Sequence, residues 1–395
     1  MSQVAPKDAL WTPAFILICL SNFLTFFAFY LLLPVLPTYL LDVFRASPSV
    51  SGAVLASYTL AALAIRPFSG FIADTVARKP LHVVCLLLFV AQFGGYLLAG
   101  SLLLFTLLRT THGLAFGMVT TSGSTLAIDV MPAHRRGEGI AFFGVTSSIA
   151  MALGPMSGLF VLKAWSYPGC FMLALLTGLL GWLMALFVQT KPHQPVPHRA
   201  LSLDRFFLFQ GIHGSISLLF AAFLYGALLT YVALYAREVG LQDQVGHFFV
   251  LLAIGVGLSR VGSGRLIDRG HLLHLILGGK LILIAAASAF VLLPVPWVFN
   301  LCSVLLGMGS GLIGPCYQNL FVNLADHHQR GTASSTFFTA WDMGIGLGAL
   351  AGGAIAQAFS YRAVMGFGTV LVAVSLGYFL RFTAAHYRRH RVNGK

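Results

Sequence analysis

Residues 66–80 read RPFSGFIADTVARKP and lie between two long apolar runs. Arg66, Asp74, Arg78 and Lys79 fall within this short stretch of a chain that is only 9% charged. A second stretch, RVGSGRLIDRG, begins at Arg260 and repeats the order Arg, Ser-Gly, Asp at the same spacing. Around these clusters the composition is extreme: 395 residues, 58% hydrophobic, with 33 Phe. A soluble domain carries roughly 25% charged residues and could not hide so much apolar surface. About 20 apolar residues span a bilayer as a helix, and runs of that length recur from end to end. The sequence therefore reads as an all-α membrane protein.

Pro, Gly and charged clusters punctuate the runs into twelve expected spans, 13–38, 49–72, 80–99, 101–127, 137–162, 168–189, 207–235, 245–265, 272–293, 297–322, 331–358 and 361–382. The first is too long for a signal-peptide core and lacks a basic start and a small-residue cleavage site, so it is expected to remain as helix 1. Sixteen Lys and Arg fall at one side of this topology and four at the other, which marks the rich side as cytoplasmic and places both termini there. That bias accounts for the net charge of +13 without a nucleic-acid partner. Cys19, Cys85, Cys170, Cys302 and Cys316 all fall within spans, have no metal-type spacing and read as packing residues. No metal site and no cofactor are expected.

The chain repeats itself. A shift of 194 residues lays Arg66 on Arg260, Ser69-Gly70 on Ser263-Gly264 and Asp74 on Asp268. It also lays Gly113 on Gly307, Arg136-Gly137 on Arg330-Gly331, Gly154 on Gly348 and Ser166-Tyr167 on Ser360-Tyr361, with no gap from 66 to 167. Two six-helix bundles in the same orientation, 13–189 and 207–382, should be related by an axis along the membrane normal. A cytoplasmic N-terminus (1–12), a Pro-rich polar linker (190–206) and a basic tail (383–395) complete the expected organisation.

Here the residues carry a resemblance. GFIADTVARKP (70–80) resembles the loop 2–3 motif of the major facilitator superfamily, with Gly70, Asp74, Arg78 and Lys79 in register and Ala77 where that family usually has Gly. LRTTHGLAFG (108–117) is similar to its helix 4 motif through Arg109 and Gly113. GVTSSIAMALGPMSGLF (144–160) is similar to the helix 5 motif of antiporters through Gly154, Pro155 and Gly158, with Leu159 replacing the last Gly. RPFSG resembles bacterial members of the sugar- and drug-efflux branch. The resemblance covers nearly the whole chain. It implies alternating access between two bundles, a small-molecule substrate exchanged for protons, and a functional monomer in a bacterial inner membrane.

Physical reasons for the clusters accompany the resemblance. Gly70 and Gly264 would let another helix approach closely. Asp74 and Asp268 can accept hydrogen bonds from exposed amides at a neighbouring helix N-terminus. Arg78 and Lys79 can bridge to acids across the halves, with Asp129, Glu138 and Asp326 available. Together with Arg66, Arg260 and Arg269 these residues form a candidate cytoplasmic gate; for Arg66 and Arg260, snorkelling to the interface is the alternative. By the resemblance, Gly154-Pro155 would bend helix 5 at the seam between halves and limit leak; close packing of small residues is the alternative.

An ionisable group at the bilayer centre costs about 2.5–3.5 kcal/mol even on the lenient insertion scale. Ten of the eleven acids sit in loops or at helix ends, and the exception is Asp342, in TAWDMG of helix 11. An acid there can hold a proton when buried and release it when wetted, so Asp342 is the first candidate for proton coupling; a capped structural carboxylate is the alternative. Arg109 is the second candidate, through the resemblance. Lys280 lies about a third of the way into helix 9. Family cavities are lined mainly by helices 1, 4, 7 and 10, which makes Asn22, Tyr30, His112, His213, Tyr225, Tyr231, Tyr317, Gln318 and Asn319 substrate-cavity candidates, with ordinary helix packing as the alternative for each. No P-loop, nucleophile elbow or metal helix is present, so an ATP-driven pump or an enzyme is not expected. The competing functions are a proton symporter for uptake and, from another class, a transporter-like sensor or lipid scramblase.

Overall fold

The structure, a computed structural model, describes residues 9–46, 48–190 and 206–392. Residues 1–8, 191–205 of the expected linker and 393–395 of the tail lie outside the described residues. Long helices occupy every expected span. α1 is Pro13–Leu32, α2 Pro48–Thr75, α3 Arg78–Leu98, α4 Leu102–Val130, α5 Arg136–Ala164, α6 Tyr167–Leu186 and α7 Ile212–Glu238. α8 is Val245–Leu266, α9 Leu272–Leu292, α10 Pro296–Leu324, α11 Arg330–Ala358 and α12 Tyr361–Tyr378.

Local chemistry sets their ends. Thr12 accepts from the Phe15 amide at 3.2 Å with Pro13 at the first helical position, Ser101 from Leu104 at 3.2 Å and Ser360 from Ala363 at 3.1 Å. The helical stretch Gln242–Leu292 runs 51 residues and divides into α8 and α9 at Gly270, whose φ of 88° suits a residue without Cβ. Two ends differ from expectation. α1 breaks at Leu33-Pro34 and resumes over Val35–Asp42. α12 continues through a widened turn at Phe379–Thr383 into Ala384–His390, so much of the expected tail is helical.

Packing repeats between halves. α1 packs on α5 and α6, and α7 on α11 and α12; α2 packs on α4, and α8 on α10; α3 packs on α4 and α6, and α9 on α10 and α12. The repeat holds at atomic scale. A Cβ at Gly113 would sit 2.1 Å from the Tyr58 carbonyl oxygen, and one at Gly307 2.1 Å from that of Leu252; both pairs are related by the shift of 194. Small residues bring these helix backbones together because lipid offers no hydrophobic drive for helices to associate. Between halves, α5 packs on α8 and α2 on α11.

Candidate functional site

Both described chain ends lie at one end of the bundle. Leu10 packs with Met131 and Val322 there, and the Val392 amide donates to the Asn323 carbonyl at 2.9 Å. At this basal end the repeated cluster meets the opposite half. The Asp74 carboxylate, at the end of α2, accepts from the Gly331 and Thr332 amides at the start of α11, at 2.7 and 2.8 Å. Asp268 does the same for Gly137 and Glu138 at the start of α5, at 2.6 and 2.9 Å. Each acid supplies the negative charge that a helix N-terminus favours and fills amides that lack intrahelical partners. A Cβ on Gly70 would lie 2.8 Å from the Thr332 Cα, and one on Gly264 2.5 Å from the Glu138 Cα. The two halves touch backbone to backbone at these points.

The basic residues of the cluster behave differently from the sequence expectation. Arg78 is buried and pairs within its own half, with Asp74 at 3.1 Å and Asp129 at 2.7 Å. The pairs that cross the halves come from Arg330, 3.2 Å from Asp129, and Arg265, 3.4 Å from Glu138. Lys79 and Arg269 make no ion pair among the described residues. Arg66 does not snorkel to the basal surface: its side chain is 1% exposed and turns inward.

There it meets Asp342. Arg66 Nε and Nη2 donate to Asp342 Oδ2 at 3.0 and 2.7 Å, an ion pair between α2 and α11 of opposite halves. Arg66 Nη1 donates to Thr120 Oγ1 and to the Gly117 carbonyl, and its guanidinium lies 4.6 Å from the centre of the Phe338 ring. Every nitrogen of the guanidinium thus has a partner. Asp342 stays 24% exposed, toward a cavity of about 350 Å³ between the halves. Arg260, the repeat partner of Arg66, lines the same cavity from α8. Its Nη1 donates to the Gly144 carbonyl and to Ser148 Oγ. Ser148 stands 194 residues before Asp342, so the repeat presents a hydroxyl where the other half presents a carboxylate.

The cavity is lined from α1, α2, α4, α5, α7, α8, α10 and α11. Of the sequence candidates it gathers Asn22, Tyr30, Tyr225, Gln318 and Asp342, together with Arg66 and Arg260 of the gate set. Asn22 donates to Thr146 and Ser147 hydroxyls at 2.8 and 2.9 Å, and Gln318 to Ser124 Oγ at 2.6 Å across the halves. Tyr225 reaches Met151 Sδ at 3.6 Å, also across the halves. Much of the remaining wall is aromatic, including Phe26, Phe29, Phe116, Phe337, Phe338 and Trp341.

Five cavity candidates lie elsewhere, each with a hydrogen-bond partner inside its own half, although His112 Nε2 is buried without one. His112 is fully buried and 2.7 Å from the Tyr96 hydroxyl. His213 is 2.8 Å from the Tyr378 hydroxyl. Tyr231 donates to the Ala349 carbonyl, Tyr317 to Ser217 Oγ at 2.7 Å, and Asn319 to the Pro315 carbonyl at 2.9 Å. Arg109 also stays out of the cavity; it is 4.0 Å from the centre of the Tyr58 ring, whose residue does line it. Lys280 is buried between Ser375 and Ser217. Gly154 and Gly158 face α1 of their own half, where a Cβ on Gly158 would lie 2.0 Å from the Leu31 carbonyl oxygen, rather than the seam between halves. Thr120, Ser148 and Trp341 escaped the sequence reading; the 194-residue match of Ser148 to Asp342 was the signal available for one of them.

The chain is 25% identical over 389 residues to Multidrug resistance protein MdtG of Dickeya zeae (strain Ech586), covering 92% of each. It is 25% identical over 354 residues to Quinolone resistance protein NorA of Staphylococcus aureus (strain Mu50), covering 84% of this chain and 87% of that protein. Among solved structures, the human organic anion transporter MFSD10 (TETRAN) superimposes with a TM-score of 0.81 at 18% identity, over 93% of this chain and 98% of the other. FucP in its outward conformation gives 0.76 at 14% identity, over 96% and 99%. The sequence profile of the Major Facilitator Superfamily matches residues 18–349 and, in a second match, 281–394. The chain belongs to the Major Facilitator Superfamily and is a multi-pass membrane transporter.

Proposed function

We propose that this transporter exports a small organic compound in exchange for protons, by alternating access, as a monomer in a bacterial inner membrane with both termini cytoplasmic. The observation that carries the reading is the Arg66–Asp342 ion pair. It joins the halves at the cavity, with its carboxylate partly exposed to that cavity. A proton arriving through the cavity would neutralise Asp342 and remove its attraction for Arg66. Breaking a buried ion pair by neutralising one partner costs on the order of 3–5 kcal/mol. Inverting a two-state population from 1:99 to 99:1 takes about 5.5 kcal/mol, so this one protonation supplies most of a conformational switch.

The basal contacts support the direction of the switch. With the basal end cytoplasmic, the Asp74 and Asp268 contacts hold the inward route shut while the cavity serves the other side. Loss of the Arg66–Asp342 pair releases α2 from α11, the same two helices that Asp74 joins. Relatives named for multidrug and quinolone resistance support export of organic compounds.

The test is proton movement driven by substrate in proteoliposomes. Wild-type protein should alkalinise the lumen when a quinolone is added outside, because each molecule that enters is exchanged for a proton that leaves. Asp342→Asn should lose proton-driven accumulation while retaining exchange of substrate without a gradient. Normal accumulation against a gradient by Asp342→Asn would make the carboxylate structural.

A further inference from the structure

We infer that the cavity takes an amphipathic organic anion, whose negative group is held by Arg260. The proposal rests on the transporter reading above and narrows its substrate class. It comes from the unequal neutralisation of two arginines that the repeat makes equivalent. Arg66 has a carboxylate; Arg260 has no ion pair among the described residues. Its two hydrogen bonds both leave from Nη1 and both end on neutral oxygens, the Gly144 carbonyl and Ser148 Oγ. Its Nε is buried without a partner. A guanidinium carries five N–H donors, and burying a charge without a counter-charge or full hydrogen bonding is costly.

The acid that would have neutralised it is absent from the equivalent place. Position 342 is Asp and position 148, its repeat partner, is Ser. The cavity walls carry Arg66, Arg260 and Asp342 as their charged groups, so the lining is left with one net positive charge. Tyr30 and Tyr225 line the same cavity and can donate hydroxyls, and Phe and Trp side chains supply an apolar surface for the rest of the molecule. A single anionic group on an aromatic or aliphatic body matches this pattern; a cation would meet an unopposed guanidinium.

Three probes with one body and three charges test this: 1-naphthylacetate, 1-naphthaleneacetamide and 1-naphthylmethylamine. Binding is measured on purified protein in phosphatidylcholine nanodiscs, and transport in proteoliposomes. Wild type should favour the acetate over the amide by about tenfold or more, as one charged hydrogen bond of 1.5–3 kcal/mol requires. Arg260→Gln should remove that preference, and Arg260→Lys should keep part of it. Ser148→Asp, which rebuilds on Arg260 the pair that Arg66 already has, should remove the preference as well. It also guards against a variant that fails to fold, since it leaves Arg260 in place.

An anion preference that survives both Arg260→Gln and Ser148→Asp overturns the proposal. So does a wild-type preference for the amine, binding of no probe, or occupation by chloride with no discrimination among the three. Displacement of the acetate by oleate and not benzoate assigns the anion to the lipid, the reverse to the aqueous phase, and either supports the site. If the acetate binds through Arg260 yet no probe crosses the bilayer, the transport reading fails and the anion site stands. If the probes cross and Arg260→Gln changes nothing, the anion site fails and transport stands.

Discussion

Arg66 and Asp342 are the pair on which the account depends at the scale of single residues. The guanidinium is enclosed, with all its nitrogens bonded, and the carboxylate alone is wetted by the cavity. Removing one partner leaves the other charged at membrane depth, whereas removing both leaves neither. Asp342→Leu should therefore lower thermal stability, because it strands an enclosed guanidinium, Arg66→Met should do so less, because the carboxylate it leaves is wetted, and the double variant should recover part of the loss while transport stays abolished. Unfolding temperatures of the four proteins in one detergent measure the coupling. Losses that simply add would show that the pair contributes nothing beyond its separate side chains. Asp342 was legible in the sequence because an acid inside an apolar span is rare and expensive. Its partner was not: Arg66 is 276 residues away, and the contact depends on how two bundles lean together, which no local pattern encodes. The tyrosines and amides show the same limit. Tyr30 and Tyr317 look alike on paper, and only packing decides that one faces the cavity and the other Ser217.

At the scale of helices, the cluster that opened the reading is a pair of reciprocal caps. The helix spans were legible from apolar length, and the equivalence of Asp74 and Asp268 from the repeat. Which helix each acid would cap emerged only from the fold. The two caps are unequal. Asp74 also accepts from the Thr332 hydroxyl at 2.9 Å and from Arg78, while Asp268 has its two amides. Asp74→Asn should open the basal end more than Asp268→Asn does, because it loses more charged hydrogen bonds at about 1.5–3 kcal/mol each. Accessibility of a cysteine placed at Ser334, which lies buried beside Ser124, reports this through its labelling rate. A larger rate increase in Asp268→Asn would reverse the ranking. Gly70→Ala tests the same contact without touching charge. Its methyl would lie 2.7 Å from the Ser335 Cβ, so α2 and α11 must separate, and the Ser334 position should label faster. An unchanged rate would mean that the halves do not meet there in the working protein.

For the molecule as a whole, the two halves share one packing plan and, among the charged groups that line the cavity, differ in one. Caps at the repeat-related Asp74 and Asp268 make the basal contact; the broken equivalence, Asp342 against Ser148, makes it sensitive to a proton. Titratable and charged groups that share the cavity with Asp342 are Arg66 and Tyr58 on α2, Tyr30 on α1, Tyr225 on α7 and Arg260 on α8. Arg66 alone is bonded to it, so protonation acts chiefly through the α2–α11 contact. The sequence repeat made the two-bundle plan readable in advance; the broken equivalence of Asp342 and Ser148 takes its meaning from the fold, which brings Arg66 and Arg260 to one cavity.

Spin labels at Ala77, just before α3, and Arg269, in the helical turn between α8 and α9, measure this most directly. The five native cysteines are buried, so introduced ones label selectively. In wild-type protein the distance between the labels should lengthen as pH falls, because neutral Asp342 releases Arg66 and the basal end opens. In Asp342→Asn the long distance should dominate at every pH, since the amide mimics the protonated acid. A pH response that persists unchanged in Asp342→Asn, or a distance that shortens on acidification, would contradict proton release of the Arg66–Asp342 pair as the switch.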